Sequence, residues 1–217
     1  TSAALVLGVI RLSRHQTLVQ DMYCIEMLAR VDVLCLDKTG TITDGTMTVV
    51  NYTDLQHGKY DIKNIIANMN EALGETNSTA KALENYFGVA HNENICGVIP
   101  FSSDRKYSGA VINDETYIIG APEFVLKSSF EKYAQMVNEE ANKGYRVLCL
   151  AVTKQDLVNA KLTRVPKPIA FIMIEDQIRP DACETIKYFR ESGVEVKVIS
   201  GDNPITVAKI SERAGIE

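Results

Sequence analysis

The residues best suited to chemistry form one pentapeptide, Asp37–Thr41, which directly follows an apolar run. The Asp37 carboxylate can attack a phosphorus atom, and Lys38 and the two threonine hydroxyls can stabilise the charge of a phosphoryl group. Gly40 lets backbone amides approach phosphate oxygens closely. A strand-ending aspartate that caps a turn would explain an isolated Asp-x-Thr. The complete pentapeptide after a hydrophobic strand instead predicts phosphoryl transfer, with Asp37, Lys38 and Thr39 at the site.

A second polar loop, Ser200-Gly201-Asp202, follows another apolar run and opens a helix. Its hydroxyl, its flexible backbone and the helix N-terminus suit an anion. Taken alone, the loop is also typical of an ordinary capped turn. If the two preceding strands are neighbours in a parallel sheet, their carboxyl ends lie at the same edge. We then expect Ser200, Gly201 and Asp202 to form a phosphate clamp beside Asp37.

Four further residues could recognise a nucleotide. The ring of Phe101 can stack on a base, and Lys106 can contact a triphosphate. The small pair Gly120-Ala121 would admit a ring close to the backbone. If they stood alone, Phe101 and Lys106 would be better explained as a core aromatic residue and a surface lysine; the complete segment Phe101–Lys106 within the inserted domain favours a nucleotide instead.

The elements that would position these residues alternate between strands and helices. Apolar runs predict strands over residues 33–36, 169–174 and 194–199. Helix start signals follow the last two of these strands, at Pro180-Asp181 and at Asn203-Pro204. This order predicts an α/β fold with a partial doubly wound parallel sheet, whose site lies at the carboxyl ends of its strands.

The middle of the chain has a different pattern. Residues 51–165 contain helical segments and paired strands, two of which flank Asn113-Asp114 and indicate a hairpin. Strand pairs with helices between them predict an α+β domain built on a mostly antiparallel sheet and inserted into the first fold. The chain is therefore expected to divide into residues 1–50, 51–165 and 166–217.

The beginning of the chain is apolar from Ala3 to Ile10, and Arg11 and Arg14 follow. This pattern is typical of the cytosolic end of a membrane helix, although a helix or strand of a soluble core would also fit. The apolar run is shorter than the ~18–20 residues that span a bilayer. Residues 12–30 place apolar side chains at helical spacing and predict one amphipathic helix.

The bulk composition excludes several classes of function. The 217 residues are 46% apolar and 24% charged, which is typical of a globular protein. The formal net charge is −5, and no basic run exceeds two residues, so the composition does not favour nucleic-acid binding. The five cysteines show no Cys-x-x-Cys spacing, which argues against a soft-metal site.

Asp37–Thr41 resembles the phosphorylation sequence of the P-type (E1–E2) cation-transporting ATPases, a branch of the haloacid-dehalogenase-like superfamily. In the second polar loop, Ser200 stands where this family usually carries Thr. Further segments resemble other motifs of the family, namely Phe101–Lys106, Gly120–Glu123, Gly144–Leu148 and Ser200–Asp202.

The resemblance implies that an aspartyl-phosphate forms on Asp37 from ATP, with Mg²⁺ bound by Asp37 and the Thr39 carbonyl. Residues 1–50 would then hold the end of a membrane helix, a stalk and the first part of a phosphorylation domain. Residues 51–165 would form the nucleotide-binding domain, and residues 166–217 an incomplete second part of the phosphorylation domain. The resemblance also implies an ATP site formed by Thr39, Phe101, Lys106, Gly120, Ala121 and Arg146.

Two positions depart from the family pattern near the expected base. Ile119 stands where these pumps carry Lys, and Ala80 lies where they often carry Glu, so we expect weaker or differently posed ATP. The family's Gly-Asp-Gly-x-Asn-Asp loop, its actuator domain and its membrane helices are missing from the sequence. We therefore expect a piece of a multi-pass pump in the cell membrane, on the cytoplasmic side. Its motifs look more like those of Ca²⁺, Na⁺, K⁺ or H⁺ pumps than those of heavy-metal pumps.

Two other functions stay open at this point. A soluble haloacid-dehalogenase-type phosphatase needs a carboxylate two residues after its nucleophile. Thr39 occupies that position here and cannot act as a general acid or base near neutral pH. We therefore expect negligible phosphatase turnover. A nucleotide-binding module without catalysis is the third possibility, and we expect little or no ATPase activity from these residues alone.

Overall fold

The structure is a computed structural model that describes residues 2–90, 94–154, 162 and 164–216. The helices are α1 (Ser2–Arg14), α2 (Tyr23–Leu28), α3 (Ile62–Leu73), α4 (Ser78–Phe87), α5 (Pro122–Leu126), α6 (Ala134–Ala141), α7 (Ala182–Glu191) and α8 (Pro204–Arg213). The strands are β1 (Val33–Asp37), β2 (Thr43–Asp54), β3 (Ile95–Ile99), β4 (Tyr107–Ile112), β5 (Glu115–Gly120), β6 (Arg146–Thr153), β7 (Lys167–Ile178) and β8 (Glu195–Ile199).

A short parallel sheet pairs a strand from the first part of the chain with a strand from its last part. Strands β1 and β8 pair in parallel, from Val33 opposite Glu195 to Asp37 opposite Ile199. Helix α7 precedes β8 and helix α8 follows it. Apolar side chains from these elements, including Ile186 and Val196, form a small core cluster. The βα order predicted for this part of the chain therefore produces the expected parallel pairing.

A larger antiparallel sheet occupies the middle of the chain, in the order β2-β7-β6-β5-β4-β3 among the described residues. Both of its faces are covered. Along β7, Ile172 and Ile174 face one core cluster with α3 and α4, whereas Phe171 and Met173 face a second cluster with α5 and α6. The predicted combination of a parallel sheet with an α+β unit on an antiparallel sheet is confirmed.

The prediction that residues 169–174 form a strand of the parallel sheet is wrong. These residues belong to β7, which pairs antiparallel with β2 on one side and with β6 on the other. A strand that is buried on both faces reads as a continuous apolar run whether its sheet is parallel or antiparallel. The sequence therefore identified the strand but not its partners.

The single amphipathic helix predicted over residues 12–30 is also wrong. Helix α1 ends at Arg14, Gln16 takes a left-handed backbone angle of φ 58°, and α2 begins only at Tyr23. The apolar stripe that suggested the helix is not buried, since Leu18 is 86% exposed. Helical periodicity needs an apolar surface to pack against before it gives a stable helix. No helix within the described residues is long and apolar enough to cross a membrane.

The two sheets are connected by two long strands that run side by side. Strand β2 leaves the turn after β1, and β7 leads back toward α7. They pair from Thr43 opposite Ile178 to Asp54 opposite Ala170. At the end nearest the parallel sheet, the Arg179 amide donates to the Ile42 carbonyl at 3.0 Å. This paired ribbon fixes where the loops of the parallel sheet lie relative to the antiparallel sheet.

Candidate functional site

The two polar loops singled out in the sequence lie next to each other. Asp37 is directly opposite Ile199 in the parallel pair, so the turn that begins at Lys38 and the loop that begins at Ser200 leave the same sheet edge. Asp37 is solvent-exposed. Its carboxylate is therefore accessible beside the second loop, as a nucleophile would need to be.

The turn after β1, residues 38–42, is held in an irregular conformation by specific contacts. Gly40 takes φ 77°, a left-handed angle that glycine adopts without a Cβ penalty. The buried Thr43 hydroxyl donates to the Lys38 carbonyl at 3.3 Å and accepts from the Gly40 amide at 3.4 Å. Thr39 is exposed on this turn, next to Asp37.

Lys38 points away from solvent and into the protein. Its side chain is fully buried, and its ammonium group forms ion pairs with Asp176 and, at 2.7 Å, with Asp202. These partners come from the end of β7 and from the loop after β8. Two carboxylates therefore balance the positive charge that the sequence offered to a phosphate. One lysine connects the three segments that meet at this sheet edge.

Asp202 links the buried lysine to the antiparallel sheet. One carboxylate oxygen faces Lys38 and the other accepts from Arg146, the first residue of β6. Partial burial would raise the pKa of Asp202, but the charges and hydrogen bonds of Arg146 and Lys38 outweigh that effect and lower it. Asp202 is therefore held ionised, and Arg146 is an inter-sheet contact rather than a free surface arginine.

The end of β7 contributes a second carboxylate, one oxygen of which has no hydrogen-bond partner among the described residues. Asp176 is only 3% exposed. One of its oxygens pairs with Lys38, while Oδ1 is buried and accepts no hydrogen bond from the described residues. Asp176 and Arg179 do not pair with each other, since Arg179 Nε donates to Asp181 at 3.2 Å. Asp176 therefore holds the buried lysine of the site and forms no salt bridge with Arg179.

A cavity of about 500 Å³ begins in the antiparallel sheet and reaches the loop after β8. Residues predicted from the sequence line it along its whole length, namely Phe101, Lys106, Gly120, Ala121, Arg146, Gly201 and Asp202. Ile119 and Ala80, the two departures from the family pattern, also line it. Asp37, Thr39 and Ser200 are not among the lining residues. The structure thus brings two groups of predicted residues into one continuous space.

Gly120 lies in close contact with the neighbouring strand, while the prediction that it admits a ring of a ligand stays a prediction. A Cβ atom at this position would lie 2.5 Å from Tyr107 Cβ and still closer to the Lys106 carbonyl oxygen. That carbonyl accepts from the Ala121 amide at 3.0 Å. Gly120 is therefore required by the contact between β5 and the start of β4.

Several cavity residues were missed in the sequence. Glu75 lines the cavity in the loop between α3 and α4, and its Oε1 accepts from the Phe101 amide at 3.2 Å. Tyr145 and Thr206 lie at the polar end, where the Thr206 hydroxyl donates to the Tyr145 carbonyl at 3.2 Å. Glu75 stands between the C-cap glycine of α3 and the N-cap Asn77 of α4. That capping pattern placed it in a loop, but nothing local indicated which loop it would contact.

The turn that carries Asp37 and Thr39 offers oxygen donors of the kind that Mg²⁺ accepts. Within the described ranges, no three His, Cys, Asp or Glu side chains converge on a common metal position. Mg²⁺ usually retains several waters and binds through one or two carboxylates together with substrate phosphates. The exposed Asp37 carboxylate and the Thr39 carbonyl would supply two oxygen ligands of this kind.

The chain belongs to the haloacid dehalogenase-like hydrolase family, whose profile matches residues 31–217. Among characterised proteins it is similar to P-type cation-transporting ATPases. It is 35% identical over 219 residues to the calcium-transporting ATPase CtpE of Mycobacterium tuberculosis, covering 100% of this chain and 27% of that protein. It is 38% identical over 220 residues to the probable cation-transporting ATPase exp7 of Streptococcus pneumoniae, covering 99% of this chain and 28% of that protein.

A solved structure has the same fold. The crystal structure of a zinc-transporting PIB-type ATPase in its E2·Pi state superimposes with a TM-score of 0.64 at 22% sequence identity. The match covers 99% of this chain and 33% of the other chain. The chain therefore spans between about a quarter and a third of the relatives that it matches, and its likeness to P-type ATPases extends along its entire length.

Proposed function

We propose that this chain is the nucleotide-binding and phosphorylation region of a P-type cation-transporting ATPase. ATP would bind in the cavity, and Asp37 would receive its γ-phosphoryl group. The division into residues 1–50, 51–165 and 166–217 stays a prediction; β2 crosses the first boundary, and β7 begins just beyond the second. In the complete pump, the energy of the acyl phosphate would drive cation transport across the membrane.

One observation carries this proposal. The cavity connects Phe101 and Gly120, which suit a base, with Arg146, Gly201 and Asp202, which suit phosphates. The exposed Asp37 carboxylate lies at the sheet edge shared with this polar end. A nucleotide whose base lies near Phe101 would direct its phosphates toward the Asp37 loop.

The phosphoryl transfer would proceed by in-line attack. An Asp37 carboxylate oxygen would form a bond to the γ-phosphorus while the bond from the γ-phosphorus to the β,γ-bridging oxygen breaks. ADP would leave with the bridging oxygen and the electron pair of the broken bond. Arg146 and the Ser200–Asp202 loop would stabilise charge on the phosphates. Bound Mg²⁺ would neutralise phosphate charge. Thr39 offers no general acid or base beside Asp37, which favours a long-lived phosphoenzyme over direct hydrolysis.

The affinity for nucleotide is the first test. We expect calorimetry on this chain to give a dissociation constant for Mg-ATP in the micromolar to millimolar range. This range corresponds to a binding free energy on the order of −4 to −8 kcal/mol. Phe101→Ala should weaken binding about tenfold, because a base–aromatic stack contributes ~1–3 kcal/mol. Tyr188→Ala, which removes an exposed ring on α7 that does not line the cavity, serves as the matched control and should leave the affinity unchanged. An absence of nucleotide binding would overturn the proposal for the cavity.

The role of Asp37 is tested in the complete pump. Radiolabelled ATP should give an acid-stable, hydroxylamine-sensitive phosphoenzyme, and Asp37→Asn should abolish that signal. The same substitution in this chain should still leave measurable nucleotide binding, because the part of the cavity that suits a base does not include Asp37. Hydrolysis of p-nitrophenyl phosphate that persists through purification and disappears in Asp37→Asn would instead favour a phosphatase.

A further inference from the structure

Phe101 lies at the cavity on a loop closed by hydrogen bonds from the Lys106 amide to the Ser102 carbonyl, at 2.7 Å, and from Arg105 to the Pro100 carbonyl, at 2.8 Å. The segment between β3 (Ile95–Ile99) and β4 (Tyr107–Ile112) has no regular secondary structure apart from a turn, and the Phe101 side chain is 50% exposed. A half-exposed ring gains little orientation from packing. Its position therefore depends on what anchors its backbone.

The Glu75 carboxylate provides such an anchor from another segment. Its Oε1 accepts the Phe101 amide at 3.2 Å, although the two residues are 26 positions apart. Both residues line the cavity. This contact joins the loop before α4 to the loop that presents the aromatic ring.

Glu75 is itself held by the N-terminus of α4. Its Oε2 accepts from Asn77 Nδ2 at 2.8 Å, while Asn77 Oδ1 accepts the Ala80 amide at 2.9 Å as the helix N-cap. An N-cap side chain in this role has little freedom to move. The carboxylate is thus fixed from one side and fixes Phe101 on the other.

The same helix start is fastened to the strand that leaves the Asp37 turn. The Ser78 hydroxyl donates to the Gly45 carbonyl at 2.5 Å, and the Thr79 hydroxyl lies 3.4 Å from Met47 Sδ. Gly45 and Met47 belong to β2. A continuous series of contacts therefore extends from the strand after the nucleophile turn, through the start of α4, to the Phe101 backbone.

We propose that Glu75 is a positioning residue that sets the place of the Phe101 ring against the nucleotide base through its hydrogen bond to the Phe101 amide. This inference rests on the proposed function, because it takes the cavity to be a nucleotide site. Glu75 would act on base recognition and not on the phosphates. This role requires the acceptor oxygen of Glu75 and the length of its side chain. It does not require an electrostatic effect of the Glu75 charge on the ligand.

Three substitutions separate these properties. Glu75→Ala removes the acceptor, Glu75→Asp keeps the charge but shortens the side chain, and Glu75→Gln keeps an acceptor oxygen at full length. We expect Ala and Asp to raise the dissociation constant for Mg-ATP about tenfold, and Gln to stay within about threefold of the unmodified chain. Inorganic tripolyphosphate, which has no base, should bind all of them equally. Glu71→Ala, on the exposed side of α3, is the matched control and should change neither affinity.

A spectroscopic readout accompanies the affinities. In ¹H–¹⁵N spectra, the Phe101 amide should shift strongly in Glu75→Ala and Glu75→Asp and little in Glu75→Gln. If Glu75→Ala does not fold, the comparison of Asp with Gln still decides the question.

Two results would overturn the inference. In the first, the Glu75→Asp variant binds Mg-ATP like the unmodified chain and the Glu75→Gln variant does not. That result would mean that the charge of Glu75 acts directly on the ligand. In the second, all three variants bind ATP normally while Phe101→Ala binds weakly. If Phe101→Ala and the unmodified chain bind alike, the proposed nucleotide site itself fails.

Discussion

The two ends of the cavity are built by opposite means. The end in the antiparallel sheet is formed by apolar side chains and by backbone in close contact, as at Gly120 and Tyr107. The end at the parallel sheet includes the ion pair of Arg146 with Asp202, and Asp202 also pairs with Lys38, which is buried against Asp176. The first end is specified by shape, and the second by charge balance.

This difference predicts different tolerances. A shape-based wall fails when volume is added, because closely packed backbone cannot move aside. A charge-based wall fails when one partner is removed, because a buried charge is left without compensation. Substitutions at the two ends should therefore separate these two kinds of damage.

The largest effect is expected from Lys38→Met. Without Lys38, the buried Asp176 carboxylate loses the ion pair of one oxygen, and its other oxygen already has no hydrogen-bond partner among the described residues. Removal of one partner of a buried ion pair lowers the free energy of unfolding by about 3–5 kcal/mol. Urea unfolding of this chain measures the change. Arg213→Met, which breaks the more exposed pair with Glu175, is the control and should cost at most about 1 kcal/mol. Equal effects of the two substitutions would remove the distinction drawn for the charged end.

Gly120→Ala should come next. Its new methyl group would meet Tyr107 Cβ at 2.5 Å, and overpacking of this kind lowers the free energy of unfolding by about 1–3 kcal/mol. Gly201→Ala is the matched substitution at the other end of the same cavity, where nothing lies within 4 Å of the new Cβ. It should change the free energy of unfolding by no more than about 0.5 kcal/mol. A Gly201 variant as unstable as the Gly120 variant would contradict the comparison.

The smallest effect is a dependence on pH. The pKa of Asp202 is lower in the folded chain than its usual 3.8, so its contribution to stability is complete above the unfolded-state pKa. That contribution is lost as pH falls through the folded pKa. The stability difference between the unmodified chain and Asp202→Asn should therefore be constant near neutral pH and shrink below about pH 4.

Denaturant unfolding at several pH values measures this difference. Asp181→Asn, measured in added salt, is the control: the hydrogen bond from Arg179 also lowers the pKa of Asp181, but salt should screen this exposed pair. A difference for Asp202→Asn that does not change between pH 7 and pH 3 would show that its two cationic partners do not act through its charge.

Some features could be predicted because their causes are local. An apolar run followed by Asp37-Lys38-Thr39-Gly40 indicated a strand that ends at a reactive loop. Asn203 with Pro204 indicated the helix that follows the second loop. The strand β1 and the helix α8 are both present. Other features depend on distant partners. The apolar run of β7 looked the same for either sheet, and the periodic residues around Leu18 found no surface to cover.

The direction of the Lys38 side chain could not be read from the sequence either. A lysine beside a nucleophile suggested a phosphate contact, but the carboxylates that hold it lie 138 and 164 positions away along the chain. The same holds for Glu75, whose partner is in another loop.

The sequence by itself determined the reactive residue types, the loops that carry them and the two kinds of sheet, because side-chain chemistry, hydrophobic periodicity and capping are set within a few neighbouring residues. Tertiary structure alone decided which loops share an edge, which charges pair and where β7 belongs. Those outcomes depend on contacts between segments far apart in the chain, where several pairings satisfy the same local pattern and only the packed whole selects one.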